Sequence, residues 1–70
     1  MNYIKLNYNI IFIEKISFIH FRYNYGKLEK IEIHFIGGEI LNLESWLYND
    51  LKEQIEKIGV KSCDEIAGGR

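Results

Sequence analysis

The 70-residue chain has no proline and no threonine, one alanine, one tryptophan and a single cysteine. It also has no run of uncharged apolar residues approaching the ~18 that a membrane-crossing helix needs. The lone thiol, Cys63, cannot form an internal disulfide, which fits a reducing compartment. It has no CxxC partner and no Cys/His spacing of a zinc module. The amino terminus is broken by Asn2, Lys5, Asn7 and Asn9 and lacks a small-residue cleavage site, so no secretory signal is read there. The expectation is a cytoplasmic protein without membrane contact.

An excess of charge of either sign is missing as well. Nine basic residues face ten acidic ones, for a net charge of −1. That balance leaves no electrostatic footprint for nucleic acid or an anionic membrane. Phosphate loops are absent, since neither GxxxxGK[ST] nor GxGxxG occurs and a turn accounts for Gly37-Gly38. Glu53 and Glu56 fall on a solvated helix face, and Glu29 and Glu32 lie on a strand among lysines. Such carboxylates lack the dry, concave setting that separates acid from base. Cys63 follows the last periodic segment and has no base placed beside it. The chain is therefore not expected to be an enzyme, and no cofactor or metal is expected.

What is present is bulk. Hydrophobic residues make up 47% of the chain, with thirteen Ile, six Leu, five Tyr and four Phe. A single domain this small has little interior for such side chains. Part of that surface is expected to stay exposed as a contact patch for a second copy or another protein. Ile, Asn, Lys, Tyr and Phe together supply half the residues. Their codons are A/T-rich, which points to a low-GC bacterium, a phage or a plasmid as the source.

The chain is organised around residues 15–43, which read as a hairpin and its continuation. Before them, Ile4, Leu6, Tyr8, Ile10 and Phe12 alternate with polar residues, a strand signal. A turn at Glu14-Lys15 would end one straight strand. A turn at Asn7-Tyr8-Asn9 has better chemistry and predicts a long, bent second strand over residues 10–23. A three-residue loop at Asn24-Tyr25-Gly26 with a bulge at Gly26 would pair Tyr23 with Lys27, Ile19 with Ile31 and Ser17 with Ile33. A two-residue loop at Tyr25-Gly26 would pair Phe18 with Ile33 instead. The first register puts Ile19, Phe21, Ile31, Ile33 and Phe35 on one face, joined by Leu41 and Leu43 after the Gly37-Gly38 turn. The other face presents Ile16, Phe18, His20, Arg22, Lys30, Glu32 and His34. In that register His20 faces Lys30, and His34 lies more than ~12 Å further along at ~3.4 Å per residue. The two histidines are then too far apart to share a metal.

Leu47, Leu51, Ile55 and Ile58 recur at helical spacing, with Ser45 placed as N-cap and Gly59 just past the end. Trp46 and Tyr48 fall in the first turn, and burial of the Trp46 indole is expected to clamp the helix start onto the sheet. Residues 61–70 show no periodicity and read as a flexible tail after a single domain of residues 1–60. Gly68-Gly69-Arg70 resembles the tails of ubiquitin-like carriers in the dipeptide alone. Those proteins place strands after the helix, and none is read here.

The fold class is thus α+β, a small antiparallel meander of three to four strands followed by one C-terminal helix packed on one face (ββββα). One helix cannot cover both faces of such a sheet. The expected function is a non-enzymatic protein–protein interaction module, a small inhibitor or regulator acting through the free sheet face or an edge strand. Homodimerisation is its simplest form, and a phage or mobile-element anti-defence protein is its special case. The candidate partner-binding residues are Ile16, Phe18, His20, Arg22, Tyr23, Tyr25, Lys30 and His34. The alternative is a single-strand nucleic-acid binder that stacks bases on the same aromatic and basic face.

Overall fold

The structure is a computed structural model and describes residues 3–67. Alternating apolar and polar residues form β1 (Tyr3–Leu6), which returns through Asn7-Tyr8 as β2 (Asn9–Phe12). Asn7 takes a φ of 54°, a left-handed conformation that Asn tolerates better than most residues. The two-residue loop pairs Leu6 with Asn9 and Ile4 with Ile11. Parity therefore changes across the turn. Ile4, Leu6 and Ile11 are buried together, while Ile10 and Phe12 face outward. The long strand expected over residues 10–23 is interrupted by a 3₁₀ turn at Ile13–Lys15. As a result β2 and β3 (Ile16–Asn24) belong to different sheets.

β3 turns back into β4 (Lys27–Phe35) through Tyr25 and Gly26, with φ values of 54° and 79°. Two left-handed central residues suit the right-handed twist of a hairpin. The loop thus has two residues, and the three-residue loop is not adopted. Asn24 pairs with Lys27 and Tyr23 with Leu28; the pairing then skips Glu29, so Arg22 meets Lys30. Beyond this bulge Phe21 pairs with Ile31, His20 with Glu32 and Ile19 with Ile33. Loop and bulge together shift the register by two residues from the expected one. An even shift leaves each side chain on its own face. Ile19, Phe21, Ile31 and Ile33 are accordingly fully buried, as the alternation implies.

Gly38, at a φ of 96°, turns the chain into β5 (Ile40–Leu43), which sets Leu41 against Ile33 and Leu43 against Ile31. A 3₁₀ turn at Ser45–Leu47 leads into α1 (Tyr48–Ile58). Ser45 is not the N-cap: Glu44 precedes the turn and no side chain caps it. Trp46 is 65% exposed and donates its indole N–H to Glu44 Oε1 instead of clamping the sheet. The clamp is Leu47, which is buried, and Tyr48, whose ring meets Phe21 edge-on at 5.2 Å. Gly59 ends the helix in the left-handed region (φ 75°), its N–H bonded to Ile55 O at 2.8 Å.

After the helix, Ser62–Ala67 forms β6, parallel to β3. The expectation of a flexible tail does not hold for these residues, and a strand does follow the helix. Gly68, Gly69 and Arg70 lie outside the described residues. The larger sheet runs β5-β4-β3-β6. Its inner face packs against Leu47, Leu51 and Ile55 of the helical segment and Ile4, Leu6 and Ile11 of the first hairpin in one core. The α+β class with a meander and a helix on one face is the class found. Helix and hairpin share the inner face, which leaves the outer face for polar chemistry.

Candidate functional site

Glu32 stands at the middle of β4 on the outer face, yet only 7% of it is exposed. A carboxylate is buried at that level only when it is paired. Arg22 Nη1 donates to its Oε2 at 3.1 Å, and Lys30 Nζ lies 3.4 Å from the same oxygen. Its Oε1 faces His34 Nε2 at 3.2 Å and His20 Nδ1 at 3.7 Å. Burial pushes the Glu32 pKa up, but bonds from Arg22, His34 and Lys30 outweigh it and hold the group below its ordinary value. Glu32 is thus not a solvated carboxylate among lysines, as its sequence neighbours imply, but a buried and paired one.

Glu65 of β6 closes the cluster, with Oε1 3.1 Å from His20 Nε2 and 3.6 Å from Arg22 Nε. The Glu32 hydrogen bond first, then the charge of Glu65, raise the Arg22 pKa further. Phe18 stacks on the His34 ring with centroids 4.3 Å apart and planes 12° apart. Its edge contact with His20 is 6.1 Å. The two imidazoles are 5.8 Å apart, centroid to centroid. They are therefore neighbours, and the separation that kept them from sharing a metal is overturned. The cause is the register, which sets His20 beside Glu32 and His34 one diagonal step away.

Of the eight residues expected to meet a partner, Phe18, His20, Arg22, Lys30 and His34 come together around Glu32. Ile16 does not join them. The pairing skips Ser17, so Ile16 meets Phe35 and packs against the core. Tyr23 also lies on the core side, where a hydrogen bond to Tyr48 and then burial raise its pKa. Tyr25 projects from the hairpin tip, exposed and apart from the cluster. Glu65 was missed because its segment has no apolar alternation. Backbone pairing with β3, which places Glu65 beside Arg22, is what orders it.

A second surface lies at the other end of the sheet. Ile10 and Phe12 (57% and 52% exposed) and Ile36 (71%) line an open groove of about 880 Å³, floored by Ile11, Phe35 and Leu41. The backbone N–H of Ile36 donates to Lys15 O at 3.0 Å, which ties the two walls together. Among the described residues, no helix is long and apolar enough to cross a membrane. No protein-family model, curated protein or solved structure matches the chain.

Proposed function

We propose that this chain is a non-enzymatic protein-interaction module that self-associates through the groove walled by β2 and the β4–β5 turn. The observation that carries this reading is the exposure of Ile10, Phe12 and Ile36 along one groove. Clustered exposed apolar side chains mark contact sites more often than scattered ones do. A two-fold axis suits β2, which pairs only with β1 among the described residues. Its other edge has free backbone donors and acceptors, and a two-fold operation sets such an edge antiparallel to its own copy. A standard interface takes about 800 Å² per partner, against a total surface of 5055 Å².

In this reading the groove replaces the outer sheet face as the contact surface. The protein acts as a small regulator or inhibitor whose apolar wall occludes a site on a larger protein when it is not paired with itself. The A/T-rich composition makes a phage or mobile-element anti-defence role its special case. The single-strand-binding alternative is weakened because Arg22 and Lys30 are engaged by Glu32 and Glu65. Sedimentation equilibrium from low to high micromolar concentration tests the self-association. A dimer that dissociates in the Phe12→Lys, Ile36→Asp double variant supports it, and a wild-type chain that stays monomeric throughout overturns it.

A further inference from the structure

We propose that His20, Glu32 and His34 form a binding site for one divalent transition-metal ion of the zinc class. One donor atom from each of the three lies within 4.8 Å of the other two. Tetrahedral ligands at bonds of about 2.0–2.1 Å are separated by about 3.3–3.4 Å. The distances from Glu32 Oε1 to His34 Nε2 (3.2 Å) and to His20 Nδ1 (3.7 Å) bracket that value. The two imidazole donors lie within 4.8 Å of each other, so bonding all three draws the rings together around the ion. Two imidazoles and one carboxylate suit zinc, cobalt or nickel rather than calcium or magnesium, which prefer oxygen alone.

The surroundings orient the donors. Glu65 Oε1 engages His20 Nε2 and leaves Nδ1 turned toward Glu32. This is the carboxylate–histidine arrangement that orients ligands in metal sites. Arg22 and Lys30 occupy Glu32 Oε2, which leaves Oε1 for the ion. Phe18 lies flat on the His34 ring and holds its plane. All three donors sit on paired strands rather than loops, so their spacing is set by the sheet. Both histidines keep about a fifth of their side-chain surface open, which leaves an approach and a fourth position for solvent or a partner's group. Arg22 and Lys30 offset the charge of Glu32 and Glu65, which weakens the attraction for a cation.

The test titrates zinc and cobalt into the full chain carrying Cys63→Ser, because Cys63 is the register partner of His20 and its thiol could bind metal alone. Calorimetry is expected to give one ion per chain, and cobalt a tetrahedral visible spectrum. His20→Ala and His34→Ala each abolish the saturable phase. Glu65→Gln, which removes only the orienting carboxylate, weakens binding by about 10–100-fold. NMR of the unsubstituted rings needs no variant at the site: zinc must shift His20 and His34 together at one equivalent. Absence of saturable binding, binding that survives loss of both histidines, or a shift confined to one ring would each overturn the proposal.

Discussion

The side-chain amide of Gln54 pairs with the backbone of Lys5 as a neighbouring strand would. Gln54 Oε1 accepts the Lys5 N–H at 3.1 Å, and its Nε2 donates to Lys5 O at 2.9 Å. Asp50 Oδ1, one helical turn earlier, accepts a further bond from the same nitrogen at 3.1 Å and holds the amide in place. This contact locks β1 to α1 and blunts one edge of the two-stranded sheet.

Gln54→Ala removes both bonds to Lys5 while sparing the buried helix face. Each such bond is worth about 0.5–1.5 kcal/mol net, so a loss of about 1–2 kcal/mol is expected in urea unfolding. Hydrogen exchange at the Lys5 amide should accelerate more than at Ile19. Equal acceleration at both sites would show that the hairpin is not held locally by this contact.

Tyr25 occupies a left-handed position for which it has no special aptitude, and Gly26 follows it. Tyr25→Asn creates the Asn-Gly pair that this turn favours and should raise stability by about 0.5–1 kcal/mol. Gly26→Ala should lower it by about 1 kcal/mol or more, since alanine meets no clash there but resists the φ of 79°. Thermal unfolding of the two variants gives the comparison.

Glu29 is the bulged residue, exposed and without a pairing partner on β3. Deleting it joins Leu28, which packs on the core side, directly to Lys30, which faces outward, and so restores plain alternation. The deletion is expected to fold with stability within about 1 kcal/mol of the parent. His20 and His34 should still show nuclear Overhauser contacts to each other. Deleting Lys30 instead puts Glu29 in the outward place opposite Arg22, so this chain should also fold, but it loses the Lys30 contact to Glu32 and should be the less stable of the two, as urea unfolding would report.

Tyr23 gives an alkaline prediction. Its hydrogen bond to Tyr48 and its burial raise its folded pKa above the ordinary phenol value. The folded state then holds its proton more tightly than the unfolded state does. Stability from this pair is complete below about pH 10 and falls as pH rises through the folded value. The Tyr23 ring signals in NMR should titrate above the ordinary phenol value, and Tyr48→Phe should bring that titration earlier. A Tyr23 titration left unmoved by Tyr48→Phe would contradict this.

The sequence made the periodic parts legible. Alternation at Ile19, Phe21, Ile31 and Ile33 identified the core face, and the Leu47, Leu51, Ile55 spacing identified the helix. Gly59 marked its end. The turn chemistry of Asn7 identified the first hairpin as well. The register between β3 and β4 could not be read, because a bulge depends on backbone pairing and leaves no mark on residue type. Face assignment survived this error only because the shift was even. Proximity did not survive it, and so the pairing of His20 with Glu32 and the closeness of His34 were missed. β6 was invisible for a different reason: Ser62, Cys63, Asp64, Glu65 and Ile66 are all exposed, so burial imposed no alternation on them.

The parallel pairing of β6 with β3 also bears on how the chain is made. Ser62 meets Ile19, more than forty residues earlier in the sequence. The hairpin and helix can form as they leave the ribosome, but the β3 edge has no partner until residues 62–67 have emerged. Closing so long a span carries an entropic cost and slows the final step. During that interval the bare edge of β3 is open to pairing with another nascent chain. A message truncated just after Gly59 would make that exposure permanent, yielding a product that aggregates despite an almost complete core.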